Sequence, residues 1–220
     1  AVQSMVEFEL ERHFPSGLDD LYYTYQLNQK SGNIFHIASA AIKKETANYY
    51  LELIKKLNLK PTVLDISTFA NSNLALLQES KNSAVTALID ISPRALEIVL
   101  IKKGILEFSR NRTWENTDIK DIYLGKDKSS DRLNNVSEST TKLIISELEQ
   151  ALSSCRNIEA NESIEHIFIS GGGTLAPRVI KQLEKETQVS TQFIRIPDSV
   201  SPVLPESFSS YHMMTALSLA

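Results

Sequence analysis

The chain has 220 residues, 42% hydrophobic and 23% charged, with 23 basic against 27 acidic side chains and a formal net charge of −4. That balance supports a substantial core in one large domain or two small ones. It shows no dense Lys/Arg stripe for nucleic acid or a lipid surface, no apolar run near the ~20 residues that cross a bilayer, and no signal-peptide pattern. The single cysteine, Cys155, rules out an intrachain disulfide or a multi-cysteine metal site, suits a reducing compartment, and reads as a plain buried thiol on a helix.

The first thirteen residues read as the middle of a helix, because Val2, Val6 and Leu10 recur four apart with Met5 beside them. A chain that opens inside an amphipathic helix is expected to be cut from something longer. Pro15 stops that helix near Phe14. The Tyr/Thr-rich run 22–27 and the run 34–42 read as strands of a hairpin, with turn chemistry at Ser31, Gly32 and Asn33. Ala47, Tyr50, Leu51, Ile54 and Leu57 fall at helical spacing and predict the clearest helix, ended by Asn58 and Pro61. Residues 62–66 read as a third short strand and 68–79 as a poorer helix. The polar break 81–83 then closes a compact α+β unit, residues 1–83.

A second unit, residues 84–220, opens with the nearly continuous apolar strand 84–91, suited to the middle of a sheet. Runs 95–101 and 105–112 alternate apolar and polar side chains around the turn Lys102, Lys103, Gly104, which predicts an antiparallel meander. The polar segment 114–139 reads as a loop with a short helical piece. A helix follows over 140–156, with Leu143, Ile144, Leu148 and Leu152 on one face. Next come a strand at 164–170, three glycines, and a helix at 175–187 burying Ala176, Val179, Ile180 and Leu183. A last strand at 192–196, a proline-spaced stretch at 197–205 and a closing helix at 209–219 complete the reading, without solenoid repeats.

Two places carry chemistry. Gly171, Gly172 and Gly173, followed by Thr174, lie between a strand and a helix. Consecutive glycines admit positive φ and close approach of a ligand, and the helix start offers free N–H groups to a phosphate. The same residues equally make a tight turn that seats the helix on the sheet, and no Lys–Ser/Thr pair follows to form a P-loop. Asp90 ends the apolar strand, where a carboxylate either holds a metal–phosphate through water or caps the turn. The aromatic cluster Tyr22, Tyr23 and Tyr25 reads either as partner-contact anchors or as core packing of alternate members, and Trp114 is a further anchor candidate. His13, His36, His166 and His212 have no metal-ligand spacing, no Gly-x-Ser-x-Gly elbow occurs, and the pairs Lys55–Lys56 and Lys102–Lys103 read as solvated faces.

A buried strand ending in Asp, a β-meander, and a Ser–Gly–Gly–Gly bend some eighty residues later together resemble the actin-like ATPase superfamily. Within it, the chain resembles the PilM and GspL family of type IV pilus assembly and type II secretion, on the FtsA-like branch. FELERHFPSGLDDLYYTYQL is similar to that family's helix, proline and acidic turn before its inserted subdomain, and KKETANYYLELIKKLNLKPTVLDIS to the helix and strand that follow. ALIDIS sits where the second phosphate loop belongs, IFISGGGTLAPRVIKQLEK where the adenosine loop belongs, and MMTALSLA where the closing helix belongs.

The resemblance implies an incomplete actin-like, ribonuclease H-like α/β domain preceded by a small α+β subdomain. Its nucleotide-site positions would be Asp90, Ser92, Gly171, Gly172, Gly173 and Thr174, with no metal ligands of its own. The first phosphate loop has no counterpart here, Ser92 and Pro93 stand where the family has a flexible glycine, and 114–139 is short for the lid subdomain. ATP with Mg is therefore expected only with upstream sequence, and hydrolysis by this chain is not expected. The implied role is a non-catalytic cytoplasmic scaffold, peripheral to the bacterial inner membrane. It would hold the tail of a PilN- or GspM-like membrane protein and a PilB- or GspE-like motor ATPase, as a homo-oligomer and without nucleic acid. The first unit, residues 7–67, is the expected contact surface.

Overall fold

The computed structural model describes residues 2–31, 34–78, 85–113, 129–155, 158–159, 161–172 and 175–195. Gly173, Thr174, Trp114, His212, the stretch 197–205 and the predicted helix 209–219 lie outside them, as does most of the polar segment after residue 113. The chain divides into two compact units, Ala1–Ile66 and Ser67–Ala220.

In the first unit, helix α1 (Val2–His13) buries Val6 and Leu10 and places Arg12 and His13 in its last turn, where cations complement the helix dipole. It stops ahead of Pro15, with Phe14 N–H donating to Leu10 C=O at 2.8 Å. Strands β1 (Leu21–Ser31) and β2 (Ile34–Lys43) pair antiparallel from Leu21↔Lys43 to Ser31↔Ile34, giving the predicted hairpin. Helix α2 (Lys44–Lys56) follows directly and buries Ala47. Asn58 ends it in the left-handed conformation (φ 56°). Asn58 N–H donates to Lys55 C=O and Leu59 N–H to Ile54 C=O, the paired bonds of a Schellman cap. Two expectations fail here. Residues 62–66 join no sheet, because the hairpin is a two-stranded ribbon on its own and offers them no paired partner strand. The predicted buried stripe of α2 is only partly buried, with Leu51 and Ile54 half-buried and Tyr50 and Leu57 exposed.

The second unit starts ahead of helix α3 (Ser67–Leu76), not at residue 84. Leu74 and Ala75 of this helix pack with Leu88, Val99, Ile101, Phe168 and Ile194, so it covers one face of the second unit's sheet. That sheet has five strands: β3 (Thr86–Ile91), β4 (Ala95–Lys102), β5 (Ile105–Thr113), β6 (His166–Gly171) and β7 (Ser190–Phe193). Their order is β5-β4-β3-β6-β7. The meander β3-β4-β5 is antiparallel, and β6 and β7 add parallel to β3. On the opposite face, helices α4 (Ser130–Ser154) and α5 (Ala176–Thr187) bury Ile144, Leu148, Val179 and Leu183 against Ile89 and Ile98. Central strands buried on both faces explain the continuous apolar run of β3.

Helix α4 begins ten residues before the expected start at 140. Its first turns hide their stripe behind polar names, since Ser137, Thr140 and Thr141 are buried beside Leu133 and Val136. Ser137 Oγ donates to Asn134 C=O and Thr141 Oγ1 to Gln182 Oε1, so these hydroxyls are compatible with a core position. Glu147, also buried on α4, pairs with Arg110 and Arg112 of the edge strand β5. Strand β7 lies two residues earlier than read, and Cys155 is a buried free thiol as expected.

Candidate functional site

The site begins with the parallel pairing of β3 and β6. Register sets Asp90 beside Ser170 and Ile91 beside Gly171, so the aspartate tip and the glycine bend are immediate neighbours at the carboxyl ends of adjacent strands. Gly171 has φ +69°, and a Cβ there would collide with the Ile91 carbonyl oxygen and come 3.3 Å from Asp90 Oδ1. Gly172 (φ +75°) donates its N–H to Ile91 C=O at 2.7 Å and accepts from Leu175 N–H at 2.9 Å. A Cβ on Gly172 would crowd that of Ala176 at 3.1 Å. Two of the three glycines are thus demanded by backbone geometry.

Ser92 shapes the other side. Its N–H donates to Ala95 C=O at 2.9 Å, its Oγ accepts from Ala95 N–H at 2.9 Å and from Arg94 N–H at 3.4 Å, and the same Oγ lies 2.9 Å from Ala95 C=O as a donor. Pro93 has no N–H. The β3–β4 turn therefore turns each of its described N–H groups inward, at the place where a phosphate loop would aim them at a ligand.

The electrostatics are set by a polar row on the α3 face of the sheet. Asp90 stands opposite Glu97 of β4 in the antiparallel register, with Ser170 on its other side. Burial pushes the Asp90 carboxyl above the usual carboxylate range. The Ser170 hydroxyl counteracts this in part, although its Oγ, fully buried, completes no hydrogen bond of ordinary geometry. Glu97 is buried and also raised, first by desolvation and further by the charge of Asp90. Thr68 Oγ1 donates to Glu97 Oε1 and Ser67 Oγ to Glu97 Oε2 (3.4 Å), and both work against that shift. Sequence reading missed Glu97 and Ser170. Their signals were a lone acid inside the apolar run 95–101 and a serine directly ahead of the glycines.

The tyrosines separate by face, as alternation along a strand requires. Tyr23 OH donates to Glu7 Oε1 of α1 at 2.7 Å, which raises the phenol and lowers the carboxyl. Tyr22 is exposed, donates to Asn48 Oδ1 of α2 at 3.3 Å and lies under Lys44 Nζ, 5.6 Å from the ring centroid. Tyr25 is exposed. Among the described residues no group of three or more His, Cys, Asp and Glu is placed to hold a metal ion, and no helix is long and apolar enough to cross a membrane.

A mixed five-stranded sheet carrying an aspartate-tipped strand next to a glycine bend places the chain in the actin-like ATPase fold class, as an incomplete actin-like domain. A Bacteroides thetaiotaomicron protein of actin-like ATPase fold and unknown function superposes with TM-score 0.52 at 9% identity, over 97% of this chain and 63% of that one. The chain belongs to the type IV pilus assembly protein PilM family, whose model matches residues 2–203. A solved PilM-PilN type IV pilus biogenesis complex superposes with TM-score 0.73 at 19% identity, over 99% of this chain and 70% of that chain. No curated protein matches the chain.

Proposed function

We propose that this chain is a non-catalytic cytoplasmic scaffold of the inner-membrane platform of a type IV pilus, or of the related GspL-containing type II secretion system. In this reading its first unit holds the cytoplasmic tail of a PilN- or GspM-like membrane protein, and the motor ATPase (PilB- or GspE-like) docks on the assembled, multi-copy platform. The carrying observation is where apolar surface lies. Of the fifteen large hydrophobic side chains exposed among the described residues, all but Leu77 belong to the first unit. Clustered exposed apolar side chains mark interaction surfaces. Tyr49, Tyr50 and Leu53 on α2, with Leu57 and Leu59 just beyond it, form one such group. The solved relative was determined as a complex with PilN, which supports a tail of that kind as the occupant. The inward-turned N–H groups of the β3–β4 turn favour a scaffold over a hydrolase.

The test is a calorimetric titration of a synthetic PilN-type cytoplasmic tail into the whole chain and its variants. Leu53→Glu is expected to weaken binding by tenfold or more, roughly 1.4 kcal/mol or above. Leu77→Glu on the second unit is expected to leave it unchanged. Tail binding that survives Leu53→Glu and Tyr49→Glu but is lost with Leu77→Glu would overturn the assignment.

A second reading, an ATP-dependent switch whose first phosphate loop lies upstream, is favoured by one observation, the adjacency of Asp90 to the Gly171 bend. In that reading ATP–Mg engages Asp90 and the backbone near Gly172, and the first unit responds to it.

A further inference from the structure

We propose that Gln78 ends the second unit's sheet. Its side-chain amide occupies the place of a sixth strand at the open edge of β7, and keeps that edge from pairing with a second copy of the chain.

Strand geometry sets the requirement. Ile194 N–H donates to Ile169 C=O at 2.9 Å, so the polar main-chain groups of this residue face β6. Main-chain groups alternate sides along an extended strand, so those of Arg195 point outward, away from β6. No strand meets them there, because β7 is the last in the described order β5-β4-β3-β6-β7. Gln78, just beyond the end of α3, takes both. Its Oε1 accepts from Arg195 N–H at 2.8 Å, and its Nε2 donates to Arg195 C=O at 2.7 Å. A primary amide presents one acceptor and one donor side by side, the same pair that a residue of a neighbouring strand presents. The two residues are 117 apart in sequence, so the fold makes this pairing and local turn chemistry does not.

The clip is itself held in place. Gln78 Nε2 also donates to Leu74 C=O at 3.2 Å, one of the carbonyls that a helix end leaves open. Further back on β7, Thr191 has its N–H on the same outer side as Arg195 and donates to Glu184 Oε1 of α5 at 3.5 Å. Side chains from both helix layers thus close the edge.

The two edges of the sheet show why one of them needs closing. Exposed edges invite another chain to pair, and charge along the strand is a common deterrent. Strand β5 carries exposed Arg110 and Arg112, charges that repel when two such edges meet. Strand β7, Ser-Thr-Gln-Phe, carries no charged side chain. Leu77, immediately before Gln78, is the one large hydrophobic side chain exposed in the second unit among the described residues. An uncharged edge beside an exposed apolar side chain is where a second copy would add most readily, and the amide blocks it. This inference is independent of tail docking, which concerns the first unit.

The experiment compares the whole wild-type chain with Gln78→Ala and Gln78→Met, by amide exchange in dilute solution and by sedimentation equilibrium over a range of concentrations. Methionine keeps the length of the side chain without its amide, so an effect shared by both variants belongs to the amide. Both are expected to speed exchange of the Arg195 amide by up to about tenfold, the loss of one hydrogen bond. Both are also expected to show an average mass that climbs above wild type as concentration rises. Adding Gln192→Lys, at an exposed position of β7, is expected to return the mass to the wild-type curve by placing like charges at the edge. Unchanged Arg195 exchange in either variant, or a mass that follows wild type at every concentration, overturns the proposal. So does self-association that persists with Gln192→Lys, or that occurs in Gln78→Ala alone, which would place its origin in misfolding and not at the edge.

Discussion

The two units use apolar side chains in opposite ways. In the second, Ile89, Leu100, Ile144 and Phe168 are essentially inaccessible, and the sheet is covered on both faces by its own helices. In the first, Val6, Leu10, Leu21 and Ala47 are the only buried hydrophobics among the described residues, while aromatic and aliphatic side chains stand out along α2 and the segment after it. A unit that fills its own core is built to be stable, and one that leaves so much apolar surface uncovered fits the docking role proposed for it.

The comparison breaks or sharpens under paired truncations. Phe168→Ala, removing a buried aromatic between α3 and the sheet, is expected to cost about 4 kcal/mol in denaturant melts. Leu53→Ala on the exposed face of α2 is expected to stay within about 0.5 kcal/mol. Equal losses at the two positions would erase the distinction. A smaller effect than that of Phe168→Ala is expected at the glycine bend. Gly171→Ala forces a side chain into positive φ and onto the Ile91 carbonyl, which is expected to cost about 2–3 kcal/mol even in nucleotide-free protein. If Gly171→Ala were neutral to stability, the glycine would have to be explained by a ligand instead.

Much of the second unit was legible in advance, because an apolar strand buried on both faces leaves an unbroken run and a helix packed on one side leaves a period. The aspartate tip and the glycines could be picked out, and their order along the chain carried the resemblance. What could not be read was anything that depends on register. That Asp90 faces Glu97, or that Gly171 lies against Ile91, is a property of strand pairing between distant segments. The start of α4 was hidden because Ser137 satisfies its hydroxyl locally and Thr141 across to α5, so polar residues occupy core positions. In the first unit, residues 62–66 have strand-like composition but no strand partner, and propensity without a partner makes no sheet. Placing α3 in the wrong unit had the same origin: its sequence carries no mark of which sheet it covers.

The central claim is that the first unit is the docking surface and the Asp90–Gly171 corner is not the working site of this chain. Hydrogen exchange of the whole chain with and without a PilN-type tail, and with and without ATP–Mg, tests it most directly. The account predicts protection on tail binding along α2 and residues 57–66, and none with ATP–Mg at β3, the β3–β4 turn or Gly172. Protection by ATP–Mg at those positions, with the tail leaving the first unit unchanged, would contradict it.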